Sequence, residues 1–245
     1  MRSYAIGDIH GQLSLLSDAH RRIEADRRAC RDPDAPVIHL GDLVDRGPDS
    51  AGVIRFLREG IAAGAPWVVV KGNHDRLFER FLSDPGWRDP QLREGVTYLH
   101  PMIGGAETLM SYGLYRPTSF HIKTARAEAL KAVPPEDIAF LQACPLYHTY
   151  GDLLHVHAGI RPGVPLEHQS EQDLVWIRDP FLMDTRDHGP LILHGHTAIP
   201  RPTHYRNRVN IDSRAAYGGP LTTVVIEDRQ VWVLTEDGRA PLLPL

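Results

Sequence analysis

An α/β fold built on parallel strands is the class this sequence predicts, and three observations predict it. Short apolar runs alternate with stretches of helical period through roughly the first eighty residues. Each of the early apolar runs stops at a glycine, and the chain, at 245 residues, is long enough for one large α/β unit.

The elements follow in order. Tyr4-Ala5-Ile6 is a short buried strand ending at Gly7. Leu13, Leu16, Ala19 and Ile23 then recur at helical spacing. Val37-Ile38-His39-Leu40 is a second strand, stopped by Gly41. Asp49 or Ser50 caps a helix through Val53, Ile54, Phe56 and Leu57 that ends near Gly60 to Gly64. Trp67-Val68-Val69-Val70 is a third strand and stops at Gly72. A β-α-β-α-β run of this kind carries parallel strands with right-handed crossovers. Between about Leu82 and Cys144 the rhythm is lost, and the segment reads as a helical insertion or cap (about residues 82–144) with helices around Ala125–Ala132 and Pro135–Cys144. Strands return at Leu153–Val156 and Leu191–Leu193. Val209-Asn210-Ile211, Leu221–Ile226 and Val231–Leu234 are expected to form antiparallel structure, with a hairpin turn from Glu227 to Gln230. With no repeats or long linkers, residues 1–245 are expected to form a single domain.

Composition narrows the function classes. Hydrophobic residues make up 42% and charged residues 24%, which suits an ordinary globular core. The net charge is −4 and the basic residues are not gathered into blocks, so nucleic acid is not an expected partner. The two cysteines, Cys30 and Cys144, form no CxxC pattern, which argues against a disulfide framework or a thiolate zinc site. No apolar run is long enough to span a membrane. A strand starts almost at once, so no leader is expected, and the cytoplasm is the expected location. Fourteen histidines, several clustered with Asp, Asn and Gly, direct attention to a metal site.

The three early strands run into Gly7-Asp8-Ile9-His10-Gly11, Gly41-Asp42-Leu43-Val44-Asp45-Arg46-Gly47 and Gly72-Asn73-His74-Asp75. The carboxyl ends of parallel strands share one edge, so these loops converge there. Asp8 and His10, two apart, can face one ion; Asp42 can bridge to a second, and Asn73 can add a neutral oxygen. Mixed nitrogen and oxygen ligands suit manganese first, with iron or zinc as alternatives. His155-Val156-His157-Ala158-Gly159 and His194-Gly195-His196-Thr197 bring further imidazoles to the same edge. Two ions about 3.5–4 Å apart would lower the pKa of a bridging water and clamp attacking and leaving oxygens. His155 and His194, each two residues before a stronger candidate, are read as packing residues that face away from the edge, and His39 as buried and satisfied.

GDIHG, GDLVDRG and GNHD, followed by HAG and GHT, resemble the calcineurin-like metallophosphoesterases, within them the phosphoprotein phosphatase branch. The similarity runs through nearly the whole chain in five ordered blocks. It implies a central β-sandwich flanked by helices, a four-layer arrangement, rather than one flat sheet. It implies Asp8 and His10 on a first metal, Asp42 between two, and Asn73, His157 and His196 on the second. His74 matches the general acid, Asp45 the carboxylate that orients it, and Arg46 the arginine that grips phosphoryl oxygens. Arg178, in Leu174-Val175-Trp176-Ile177-Arg178, resembles a second phosphate-binding arginine.

The chain departs from the pattern in places. Lys71 stands where phage-type members carry a phosphate-binding arginine; it keeps the charge and loses the fork. Ile211-Asp212-Ser213-Arg214 replaces a common IDTGA pattern, leaving Arg214 as either a groove residue or a loop residue. Gly104-Gly105-Ala106-Glu107 and Ser111-Tyr112-Gly113 either line the groove or shape a helix start and end. The resemblance implies hydrolysis of phosphomonoesters, foremost by a Ser/Thr phosphoprotein phosphatase acting on a phosphoprotein or small phosphoester. The alternatives are a symmetrical diadenosine tetraphosphate hydrolase and, more remotely, a non-catalytic phosphate-binding scaffold.

Overall fold

Alternation along the central strands decides the layering. Tyr4 and Ile6 face one apolar cluster and Ala5, between them, faces another; Val37 and Ile38 divide in the same way. The computed structural model describes residues 1–84, 86–115, 117–119 and 121–245. Its first half is β1 (Arg2–Ile6), α1 (Leu13–Cys30), β2 (Val37–His39), α2 (Ser50–Ala62), β3 (Trp67–Val69) and α3 (Asn73–Ser83). β1, β2 and β3 pair in parallel, in the register Tyr4↔Val37↔Trp67. α1 buries Leu16, Ala19, His20, Ile23 and Arg27, one stripe at helical spacing. α2 starts where the sequence signals it, with the Asp49 carboxylate accepting from Gly52 N at 2.8 Å.

The expected insertion holds α4 (Gly105–Ser111), α5 (Ile122–Ala132) and α6 (Pro135–Ala143). Beyond it come β4 (Tyr147–Tyr150), β5 (Leu153–Val156), α7 (Glu171–Trp176), α8 (Asp179–Leu182) and β6 (Leu191–His194). The chain ends with β7 (Thr203–His204), β8 (Arg208–Asn210), β9 (Thr223–Glu227), β10 (Gln230–Thr235) and β11 (Gly238–Pro241). The first sheet has the order β11-β10-β9-β1-β2-β3 and the second β4-β5-β6-β8-β7. Ala5, Ile38, Val70, Leu153, Leu191 and Val224 belong to the apolar layer between them. Helices α1, α2 and α3 cover the outer face of the first sheet through Leu16, Ile54 and Phe78. Leu174 and Phe181 of α7 and α8 cover the second. Two sheets flanked by helices is the four-layer α/β arrangement the sequence implied.

The β9–β10 hairpin turns through Asp228 and Arg229, as the sequence predicts, and β9 adds to β1 antiparallel. The segment around Val209 does not join it. β8 pairs in parallel with β6 in the other sheet, in the register Leu193↔Val209. A three-residue strand with one apolar side chain carries no signal for which sheet receives it. His39 is satisfied as expected: its Nε2 lies 3.0 Å from His20 Nε2, and its Nδ1 donates to Val68 O at 3.0 Å. His155 and His194 are buried, and Phe181 packs on the His194 ring at 5.1 Å. Alternation is not what separates them from His157 and His196, because side chains two apart in a strand share a face. The strands end at Val156 and His194, so His157 and His196 stand in the loops beyond them. Among the described residues no helix is long and apolar enough to cross a membrane.

Candidate metal centre

Five loops leave the carboxyl ends of β1, β2, β3, β5 and β6 and meet at one edge. Their backbone is unusual at the residues that matter. His10, Asp42, Asp45, Arg46 and His196 have φ of 46°, 49°, 73°, 68° and 64°, the left-handed region that side chains rarely occupy. Contacts between the loops hold these conformations: His10 N and Ile9 N both donate to Asp42 O, and Gly11 N donates to Leu43 O. Asp75 ties the next loop in, accepting from Leu43 N and Gly72 N at 2.8 Å each. Burial and the neighbouring Asp42 push its carboxyl up to about 7, outweighing those two hydrogen bonds. Gly195 allows the last approach; a Cβ there would lie 1.9 Å from Asp8 Oδ1.

All six expected ligands come together. Asp42 Oδ2 is 3.4 Å from His10 Nε2, and Asp42 Oδ1 is 3.3 Å from His157 Nε2. Asn73 Oδ1 lies 3.0 Å from His157 Nε2 and 2.8 Å from His196 Nδ1. Asp8 accepts from His196 N at 3.0 Å. Among the described residues two groups have donor atoms close enough to hold an ion, His10–Asp42–His74 and Asp42–His157–His196, and Asp42 belongs to both. By distance, His74 takes the place in the first group that the sequence assigns to Asp8.

The donor set fits divalent cations. Burial lowers the imidazoles of His10, to about 3, of His157 and of His196, so each ring is neutral with a lone pair to give. His10 Nδ1 donates to Val44 O and His157 Nδ1 to Leu40 O, each at 2.8 Å, which leaves both Nε2 lone pairs directed at the cluster. The His157 lone pair therefore meets two oxygens that are themselves acceptors, an arrangement a cation resolves. Among the described residues His196 Nε2 is buried without a protein partner. Asp8 is pushed up by burial and by the adjacent Asp212 and Asp42 carboxylates, a concentration of negative charge that positive ions relieve.

His74 sits on a second system. Its Nδ1 donates to Asp45 Oδ2 at 2.7 Å, and Asp45 Oδ1 accepts from Tyr98 Oη and Thr108 Oγ1, both at 2.7 Å. Asp45 is fully buried and its Oδ2 accepts from His74 Nδ1, so it fixes the His74 ring and turns Nε2 to the pocket. Arg46 bridges the two systems, with Nη1 2.9 Å from His10 Nε2 and Nη2 2.9 Å from His74 Nε2. Gly104 supports it from behind: Arg46 N donates to Gly104 O, and a Cβ on Gly104 would lie 2.5 Å from Arg46 N. The Gly104-Gly105 motif thus both starts α4 and seats the arginine.

The edge opens into a cavity of about 360 Å³ lined by metal-site residues, by Arg46, Arg93 and Arg178, and by Leu92, Val96, Met102, Trp176 and Tyr217. Arg178 is in the wall as expected. Lys71 is not: its Nζ donates to Glu79 Oε2 at 2.8 Å in a buried ion pair, and it does not line the cavity. The phosphate role expected for Lys71 is corrected on that ground. Arg214 is exposed outside the wall, whereas its neighbour Asp212 is in it, with a carboxyl that burial raises to about 6. Asp212, Tyr98 and Thr108 are the site residues that sequence reasoning missed; Asp212, just past a strand end on the shared edge, carried the same positional signal as Asp8 and Asp42.

A family model described as calcineurin-like phosphoesterase matches residues 1–220. Curated relatives include the bis(5'-nucleosyl)-tetraphosphatase PrpE (asymmetrical) of Bacillus cereus strain Q1, 26% identical over 245 residues, covering 91% of this chain and 89% of the relative. The protein of the same name from Bacillus velezensis is 26% identical over 237 residues, covering 89% and 86%. Among solved structures, a provisionally named diadenosine tetraphosphatase aligns with a TM-score of 0.63 at 22% identity, over 95% of this chain and 92% of that one. The cold-active protein-tyrosine phosphatase of a Shewanella species aligns at 0.62 with 15% identity, over 99% and 80%. At these identities the two structures speak to the fold alone.

Proposed function

The chain belongs to the calcineurin-like phosphoesterase family, and from that premise we propose that it is a two-metal hydrolase of dinucleoside polyphosphates. The observation that carries hydrolysis is Asp42, common to two histidine groups, with the Asp45–His74 pair and Arg46 beside it. Asp8, His10, Asp42, Asn73, His157 and His196 would hold two ions, manganese first among those the mixed donors suit. When bound, the ions supply charge neutralisation and a nucleophile from water at neutral pH.

The chain's own residues do the rest. Arg46 lines the cavity between His10 and His74 with Nη1 and Nη2 on their Nε2 atoms, a two-pronged guanidinium that matches two phosphoryl oxygens when it turns to them. His74 faces the cavity through Nε2, which accepts from Arg46 Nη2, while Asp45 holds Nδ1; with the guanidinium drawn to phosphoryl oxygens, Nε2 is the atom placed to pass a proton to an oxygen leaving phosphorus. Arg93 and Arg178 add positive charge to the walls, suited to further phosphates along a chain.

The substrate class rests on the names of the curated relatives and on the cavity itself. At about 360 Å³ with apolar and aromatic walls, it is of the size of small-molecule sites and larger than one phosphoryl group requires. The relatives' name specifies asymmetrical cleavage, which differs from the symmetrical alternative raised by the motifs. A phosphoprotein phosphatase remains the second reading, favoured by the five motif blocks and by Arg178 in the cavity wall.

The test is product analysis with manganese-loaded protein. Diadenosine tetraphosphate is expected to give ATP and AMP, and Asp42→Asn to lower kcat/KM at least about a hundredfold. Two ADP would show symmetrical cleavage. A phosphoserine peptide turned over with the higher kcat/KM would establish the second reading, and no turnover of either substrate or of p-nitrophenyl phosphate would sink both.

A further inference from the structure

One buried carboxylate outside the metal centre joins three separate segments around the cavity. Asp89 lies between α3 and α4, in the loop over residues 86–104, and is 1% exposed. Its Oδ2 accepts from Arg76 Nη2 at 2.5 Å and from the Trp176 indole Nε1 at 3.0 Å. Its Oδ1 accepts from Gln91 N at 2.9 Å, and its carbonyl accepts from Leu92 N at 3.1 Å. Arg76 is on α3, the helix that begins with Asn73 and His74. Trp176 closes α7, two residues before Arg178, and stands edge-on to the His196 ring at 5.5 Å.

The two oxygens have different tasks. Oδ2 is anchored to the metal side of the molecule, and Oδ1 starts the turn that carries Gln91, Leu92, Arg93 and Val96 into the cavity wall. Two charge-linked or indole donors on one buried carboxylate define its position more tightly than a surface contact does. Among the described residues Arg76 has one other acceptor at hydrogen-bond distance, Gln172 Oε1 at 3.0 Å, and a distant carboxylate, Glu171 at 3.9 Å, so Asp89 is its principal counter-charge.

We propose that Asp89 is a positioning residue that fixes the loop wall against the metal centre and so sets affinity for the part of the substrate beyond its scissile phosphate. This rests on the function proposed above: the distal part is the remaining phosphates and nucleoside. The wall segment meets that part, while the reacting phosphate meets Arg46 and the metal ligands, which belong to other loops. Disturbing Asp89 therefore separates large ligands from small ones.

The experiment uses turnover of p-nitrophenyl phosphate by the manganese-loaded protein, with diadenosine tetraphosphate as a competing ligand whether or not it is cleaved. Asp89→Asn is expected to raise the inhibition constant of diadenosine tetraphosphate at least about tenfold, while kcat and KM for p-nitrophenyl phosphate change less than about threefold. Arg76→Lys, which keeps the charge opposite Asp89 and loses the guanidinium fork without touching the cavity wall, is expected to raise the inhibition constant about threefold or more, and it serves if Asp89→Asn does not fold. An unchanged inhibition constant in the folded variants, an equal loss on both ligands, or no competition by diadenosine tetraphosphate in the wild type would overturn the assignment. Absence of wild-type turnover of p-nitrophenyl phosphate would instead count against the hydrolase itself.

Discussion

Replacement of His74 by Asn separates two roles that the geometry sets side by side. The ring stands in the first possible ion-holding group with His10 and Asp42, and it is also hydrogen-bonded to Asp45 as a proton donor to substrate would be. If His74 is the acid, the variant keeps both ions. Asp45 retains Tyr98 and Thr108 as donors, so the pocket survives the change. General acid catalysis contributes about 10²–10⁴ in rate, or about 2.7–5.4 kcal/mol at about 1.36 kcal/mol per tenfold. That loss is expected in full where the departing oxygen is basic. For p-nitrophenyl phosphate, whose phenolate leaves without help, the drop should stay below about tenfold. The assay is kcat for His74→Asn on p-nitrophenyl phosphate and on an alkyl phosphate, with metal stoichiometry measured on the same samples. Loss of one ion per chain, or equal losses on both esters, would refute the acid role and make His74 a ligand.

Two further outcomes follow from residues away from the reacting atoms. Lys71→Met leaves Glu79 buried without its partner and should destabilise the protein by about 3–5 kcal/mol in a denaturant titration, with KM unchanged; a raised KM at unchanged stability would return Lys71 to the phosphate site. Burial depresses the His20 imidazole to about 2 and that of His39 to about 4, below the value near 6.5 in an unfolded chain. The unfolded state then binds more protons, so the stability these rings confer is present above about pH 6.5 and is lost as pH falls toward 4. His20→Phe should make the urea midpoint less sensitive to pH between about 6.5 and 5, by up to about 1.4 kcal/mol per pH unit; an unaltered slope would show that His20 is not held neutral.

Much of the candidate centre was legible in the sequence because the residues it gathers are local to strand ends. A glycine, a short polar side chain and the end of an apolar run mark each loop, and parallel pairing then brings the loops together without any further specification. The residues that escaped notice belong to contacts of long sequence separation. Tyr98 and Thr108 reach Asp45 from 53 and 63 residues away, and neither carries a pattern that distinguishes it from a core aromatic or a helix threonine. Asp89 looked like any aspartate before a proline. Lys71 misled because its position beside Gly72 matched a phosphate-binding site in related chains, whereas its side chain follows α3 to Glu79. The placement of β8 was missed for a similar reason: period and composition identify a strand, and only packing of both sheets selects its neighbour.

The left-handed backbone at His10, Asp42, Asp45, Arg46 and His196 sets chemistry and durability against each other. A side chain in that conformation costs about 1 kcal/mol or more relative to glycine. Directed evolution that rewards only heat resistance, with no demand for turnover, would therefore drift toward glycine first at Arg46 and His196, whose side chains hold no buried backbone or hydroxyl group, and strip the site while the scaffold grew sturdier. Stability and catalytic competence have to be screened together in this protein, and a hardened variant with new glycines in these loops is one to assay first for lost activity.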